Sequence, residues 1–161
     1  IVESEADADE LALTMAHEFS HVFTATPSQL DRTDEAIDDC DTYVNGEGCY
    51  LADSLMFAWT EAFWDDDLMG SLDPGVDDPD AADKRCSLDD GYFGSYAPIS
   101  PEEDFAEAFS AYVFALEPLT DGQASRLDWM SSEPGLVEFR ERADAAGLSP
   151  LENQFDLCGT D

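Results

Sequence analysis

Apolar residues recur three and four positions apart near the start of the chain. From Ala6 to about Thr24 the positions Leu11, Met15, Phe19, Val22 and Phe23 predict an amphipathic helix with an acidic first turn. Thr26-Pro27 and the acids from Asp31 to Asp39 interrupt that period, and Asn45-Gly46 marks a turn between Cys40 and Cys49. A second helix is predicted from about Leu51 to Trp64, with Leu55, Met56, Trp59, Phe63 and Trp64 as its apolar positions. Residues 65–100, rich in Asp, Gly and Pro, show no helical period and read as a long loop region. Ser100-Pro101 is a helix start, Ser as cap and Pro in the first turn, and this third helix is predicted to run to about Leu116. Two more are predicted near Asp121 to Met130 and Pro134 to Ala146, the last stopped by Gly147 and Pro150. The pattern predicts a mainly α fold with little or no sheet, residues 1–161 forming a single domain with long crosslinked loops.

Charge narrows the range of partners. With 39 Asp and Glu against 6 Lys and Arg, the formal net charge is -33 at pH 7, which excludes a nucleic-acid binder that works by neutralising phosphates. The acids are spread along the chain and Lys84 is the only lysine, so they read as a solvated, salt-tolerant or halophilic surface; an acidic interaction module is the competing reading. No stretch is long and apolar enough to predict a membrane span, and no basic segment followed by an apolar one predicts a leader.

Four cysteines stand at Cys40, Cys49, Cys86 and Cys158 with no C-x-x-C pair, so disulfides are expected rather than a zinc–thiolate site. Of the three possible connectivities, Cys40 with Cys49 and Cys86 with Cys158 is favoured, and disulfides imply a secreted, extracellular protein. The acidic stretches Asp65 to Asp67 and Asp73 to Asp83 are candidates for Ca2+, although neither fits the calcium-loop pattern and solvated loops are the stronger reading.

His17-Glu18-Phe19-Ser20-His21 is an H-E-x-x-H motif inside the first predicted helix, and it holds the only two histidines of the chain. Residues four apart on a helix lie one above the other, so both imidazoles can reach one zinc while Glu18 stands beside the open position as general base. A third ligand must come from downstream. Pro27 occupies the place where a metzincin has its third His, which leaves a carboxylate, and the helix Pro101-Glu102-Glu103-Asp104-Phe105-Ala106-Glu107 is the best supplier.

At that helix the sequence resembles the gluzincin metallopeptidases, most closely the lethal-factor type with its E-x-x-A-E pattern. The resemblance covers roughly residues 9–24 and 92–114. It implies Glu103 as zinc ligand and Glu107 as the acid that supports a ligand histidine from behind, with Glu107 the alternative ligand. It also implies that Tyr96, seven residues before Glu103, donates to the developing oxyanion; the competing role is a packed loop aromatic. Ser100-x-x-Glu103 is in addition a capping box, which competes for the Glu103 carboxylate.

Zincins place a sheet before the H-E-x-x-H helix. Here only about eight residues precede it, so those strands lie outside this chain or the domain is a reduced helical version. The expectation is a zinc-dependent metallopeptidase acting on a peptide or protein substrate. The alternative is a non-catalytic extracellular acidic structural or binding protein that retains a zinc site.

Overall fold

The structure is a computed structural model and describes residues 2–73, 76, 78–152, 155, 156 and 158, with side chains from residue 8 onward. In chain order the elements are α1 (Val2–Thr24), β1 (Leu30–Asp31), α2 (Asp34–Asp38), β2 (Cys49–Tyr50) and α3 (Leu55–Phe63). They are followed by α4 (Asp66–Met69), α5 (Pro79–Cys86), a 3-10 turn (Ala97–Ile99), α6 (Pro101–Val113), α7 (Asp121–Ser132) and α8 (Pro134–Ala145). The mainly α class is as the pattern predicts. Among the described residues its sheet is a single antiparallel pair in which Leu30 faces Tyr50 and Asp31 faces Cys49.

The five predicted helices are present with shifted ends. Ser54 Oγ accepts the Phe57 N–H, so α3 starts after the Leu51 turn, and Ala115 at φ 55° ends α6 short of Leu116. The expected loop at 65–100 is corrected: it holds α4 and α5, each too short to display a period. Their signals are caps instead. Asp65 accepts from the amides of Asp67 and Leu68, and Asp78 from that of Ala81, with Pro79 opening α5 and Lys84 and Arg85 closing it.

Helix α6 is buried without a break from Asp104 to Val113, as a helix surrounded by others must be. Around it α1, α3, α7 and α8 enclose a core in which Phe105 and Phe109 stack at 6.4 Å between Trp59 and Phe139. Asp104 fixes the rotation of α6 inside that core. Its carboxylate accepts from the indole N–H groups of Trp59 (3.1 Å) and Trp64 (2.9 Å) and from Arg126 Nε (2.9 Å); Arg126 reaches on to Asp89 at 2.6 Å.

The apolar spacing that predicts α1 does not mark its buried face. Leu11, Met15, Phe19 and Val22 are 59, 64, 45 and 65% exposed. Of the five predicted positions only Phe23 packs into the core, with Phe109 at 5.2 Å. At 3.6 residues per turn, the buried Leu13, Ser20 and Thr24 lie about half a turn away from the exposed positions. This face wins because α6 offers it the small Ala106 and Ser110, and Ser110 Oγ donates to the Leu13 carbonyl at 3.0 Å. His17 lies on the same inward face.

Both favoured disulfides form: Cys40–Cys49 closes a separation of 9 residues and Cys86–Cys158 one of 72. The second ties Cys158 to α5, and nearby the carbonyl of Asp156 accepts the Ser95 N–H at 2.8 Å. Among the described residues no helix is long and apolar enough to cross a membrane.

Candidate metal centre

The close approach of α1 to α6 brings three side chains to one point. His17 Nε2 and His21 Nε2 are 3.2 Å apart, and Glu103 Oε2 is 2.9 Å from the first and 3.6 Å from the second. Glu103 Oε2 is sealed from solvent, and despite the short distance it receives no hydrogen bond of ordinary geometry. Three electron-rich atoms thus converge on a shared centre, a donor set that can hold a metal ion; among the described residues it is the one such cluster. Burial pushes the Glu103 carboxyl up, but the imidazoles beside it outweigh this and hold it at about 2, while Glu103 in turn raises His21.

The competition for Glu103 resolves by division of labour. Ser100 Oγ caps α6 by accepting the Glu103 N–H at 3.3 Å, and the Glu103 side chain is left for the histidines. Glu107, one turn further, is not part of the cluster. Its Oε2 accepts the Gly94 N–H at 2.7 Å, and the Ala97 amide also draws on it, so Glu107 anchors the loop that carries Tyr96. Burial pushes its carboxyl up to about 8. From the other side Arg85, buried, donates to the carbonyls of Pro98 and Ile99, and the Tyr96 segment is held at both ends.

Two clefts meet at the cluster. One, of about 420 Å³, is lined by His17, Glu18, Tyr96 and Glu107, with Phe155 and Asp156 of the chain's end as a wall. Here the ring of Tyr96 is 6.3 Å from that of His17. The other, of about 330 Å³, opens on the side of His21 and Glu103 and is bounded by Tyr43, Tyr50 and Glu102. Sequence reasoning missed these last three. Tyr43 donates to Glu102 Oε2 at 2.8 Å across 59 residues of chain, and no local pattern marks such a pair.

The acidic stretches proposed for Ca2+ bring no third ligand together among the described residues; Asp65 and Asp78 are helix caps, and Asp77 lies outside the described residues. Compared with protein families, with curated proteins and with solved structures, the chain matches none.

Proposed function

We propose that the protein is a secreted zinc-dependent peptidase of the gluzincin type, in which His17, His21 and Glu103 hold the metal. The observation that carries this reading is the triangle of donor atoms, with edges of 2.9, 3.2 and 3.6 Å. Tetrahedral zinc with ligands at about 2.0–2.1 Å sets neighbouring ligand atoms roughly 3.3 Å apart, in the middle of that range. The two-His-one-Glu set leaves a coordination position open, which suits a catalytic site rather than a structural one.

Bound there, zinc supplies a Lewis acid that acidifies water and polarises the scissile carbonyl. Glu18, exposed in the cleft beside His17, takes the proton of the attacking water and passes it to the leaving amine. Tyr96, held in the same cleft by the Glu107 and Arg85 anchors, donates to the oxyanion as it develops. The two disulfides support an oxidising, extracellular setting.

Elemental analysis of protein purified without chelator, at high salt, should find about one zinc per chain in the wild type and much less in Glu103→Ala. Glu18→Gln should keep its zinc and lose peptide hydrolysis by about a hundredfold or more. Undiminished hydrolysis by Glu18→Gln would refute the mechanism. Full zinc with no hydrolysis in the wild type would turn the reading to a non-catalytic acidic binding protein.

A further inference from the structure

The cleft on the His21 side has a floor that the catalytic reading does not use. Glu102 Oε2 accepts from the hydroxyl of Tyr43, and Asn45, Ser100 and Tyr50 also draw on the carboxylate, but Oε1 is closed to solvent and receives no hydrogen bond of ordinary geometry among the described residues. No Lys or Arg pairs with it there: Arg32 meets Glu47 at the rim, at 3.4 Å and exposed. A buried carboxylate oxygen without a well-formed hydrogen bond bears a desolvation cost, which a donor entering the cleft would relieve. Around it stand Tyr43 and Tyr50, their rings parallel within 7° and 5.5 Å apart, with Asn45 donating to the Tyr50 hydroxyl at 3.2 Å. The charged and titratable groups lining this cleft are His21, Glu103, Glu102, Glu47 and Asp73 with the two tyrosines, and none is a permanent cation. Its volume, about 330 Å³, lies in the range of small-ligand sites, and its wall shares His21 and Glu103 with the metal centre.

We infer that this cleft is a recognition pocket for a cationic side chain, arginine or lysine, on the substrate residue that flanks the scissile bond, with Glu102 Oε1 as its acceptor. The inference rests on the peptidase reading of the metal centre. The tyrosines supply apolar and π surface for the stem and the charged head, and Glu102 a charge-assisted hydrogen bond at the end. This differs from attraction by the acidic surface as a whole. Surface attraction fades at high salt, where the Debye length falls to roughly 3 Å at 1 M, whereas a pair closed off from solvent is screened much less.

Citrulline is the neutral near-isostere of arginine, so the comparison isolates the charge. Calorimetry in about 2 M KCl should show N-acetyl-arginine hydroxamate binding the zinc-loaded wild type at least about tenfold more tightly than its citrulline counterpart. Glu102→Gln keeps an oxygen for the Tyr43 hydroxyl and should hold the same zinc, yet reduce that preference to less than about twofold. N-acetyl-arginine amide against N-acetyl-citrulline amide, run on metal-free protein, reads the same preference without the metal. Equal binding of the two forms in the wild type overturns the inference, as does a preference that survives Glu102→Gln or one seen only at low salt. Should Glu102→Gln not fold, the wild-type comparison decides alone. Peptides differing only in arginine or citrulline separate the two readings. Glu18-dependent hydrolysis without preference removes the pocket and leaves the peptidase; preferential binding without Glu18-dependent hydrolysis removes the peptidase and leaves the pocket.

Discussion

At Gly94 a Cβ would stand 2.9 and 3.0 Å from the two carboxylate oxygens of Glu107, so any larger residue there would push that acid back from the amide it accepts from. The contact matters because Glu107 is 4% exposed and faces other acids: Glu103 and Asp104 on its own helix, Glu18 across the cleft beside His17, and Asp156 of the chain's end. Burial, with the charges of Asp104 and Glu103, raises its carboxyl from 4.5 to about 8. The sign follows from proton binding. Between those two values the folded chain holds a proton that the unfolded chain has lost, so the contribution of Glu107 to stability falls as pH rises from about 4.5 to about 8. Glu107→Gln keeps an oxygen for Gly94 and cannot ionise. In chelator-treated protein at fixed KCl, its Tm relative to wild type should therefore climb between pH 5 and pH 9; a difference that stays constant over that interval would sink the assignment.

On the scale of elements, α6 carries both the core and the metal centre, and its setting depends on one buried charge cluster. Arg126 is 2% exposed and sits between Asp104 and Asp89, with its guanidinium carbon 5.0 Å above the ring of Tyr92. Arg126→Met leaves the fully buried Asp104 without its cation and the half-buried Asp89 unpaired, and should cost about 3–5 kcal/mol. The exposed Arg142–Glu138 pair at 2.6 Å is the control: Arg142→Met should cost about 0.5 kcal/mol or less. Urea unfolding of both variants tests this, and comparable losses would show that the cluster does not hold the core. The same helix shows where a sequence is readable. His17 and His21 could be paired because a fixed helical spacing dictates their proximity, whereas Glu103 is reached through the resemblance of its helix to the E-x-x-A-E pattern, the local capping signal competing for its carboxylate. Glu102 with Tyr43 and Tyr50 could not, since their meeting depends on how a hairpin and a helix pack. On α1 the periodicity marks the helix but not its buried face: Leu11, Met15, Phe19 and Val22 lie opposite the face that α6 selects, and only Phe23 reaches the core. Helices α4 and α5 were legible only through their caps, having too few turns for a hydrophobic period.

For the whole molecule, the distribution of the six cationic side chains matters more than their number. Arg85 and Arg126 are buried, Arg32 and Arg142 already pair with acids, and Arg140 lies over the ring of Tyr112, so little positive charge is left to offset 39 acids. Folding gathers those acids onto one compact surface, and their mutual repulsion opposes the folded state wherever the screening length exceeds the spacing between them. That length falls from roughly 10 Å at 0.1 M salt to roughly 3 Å at 1 M. At pH 7 the Tm should therefore rise as KCl is raised from about 0.1 to about 2 M. The rise should be roughly 10 °C, a few kcal/mol at about 2–4 °C for each. Near the isoelectric point, about 4.1, many of the carboxylates are protonated and the repulsion is mostly gone, so the same titration at pH 4.5 should give a much smaller slope. The contrast between the slopes isolates charge repulsion from any general effect of KCl on water and apolar surface, which acts at both pH values. Equal slopes would assign the salt response to that general effect, and a flat response at pH 7 would mean that the acidic surface does not destabilise the fold.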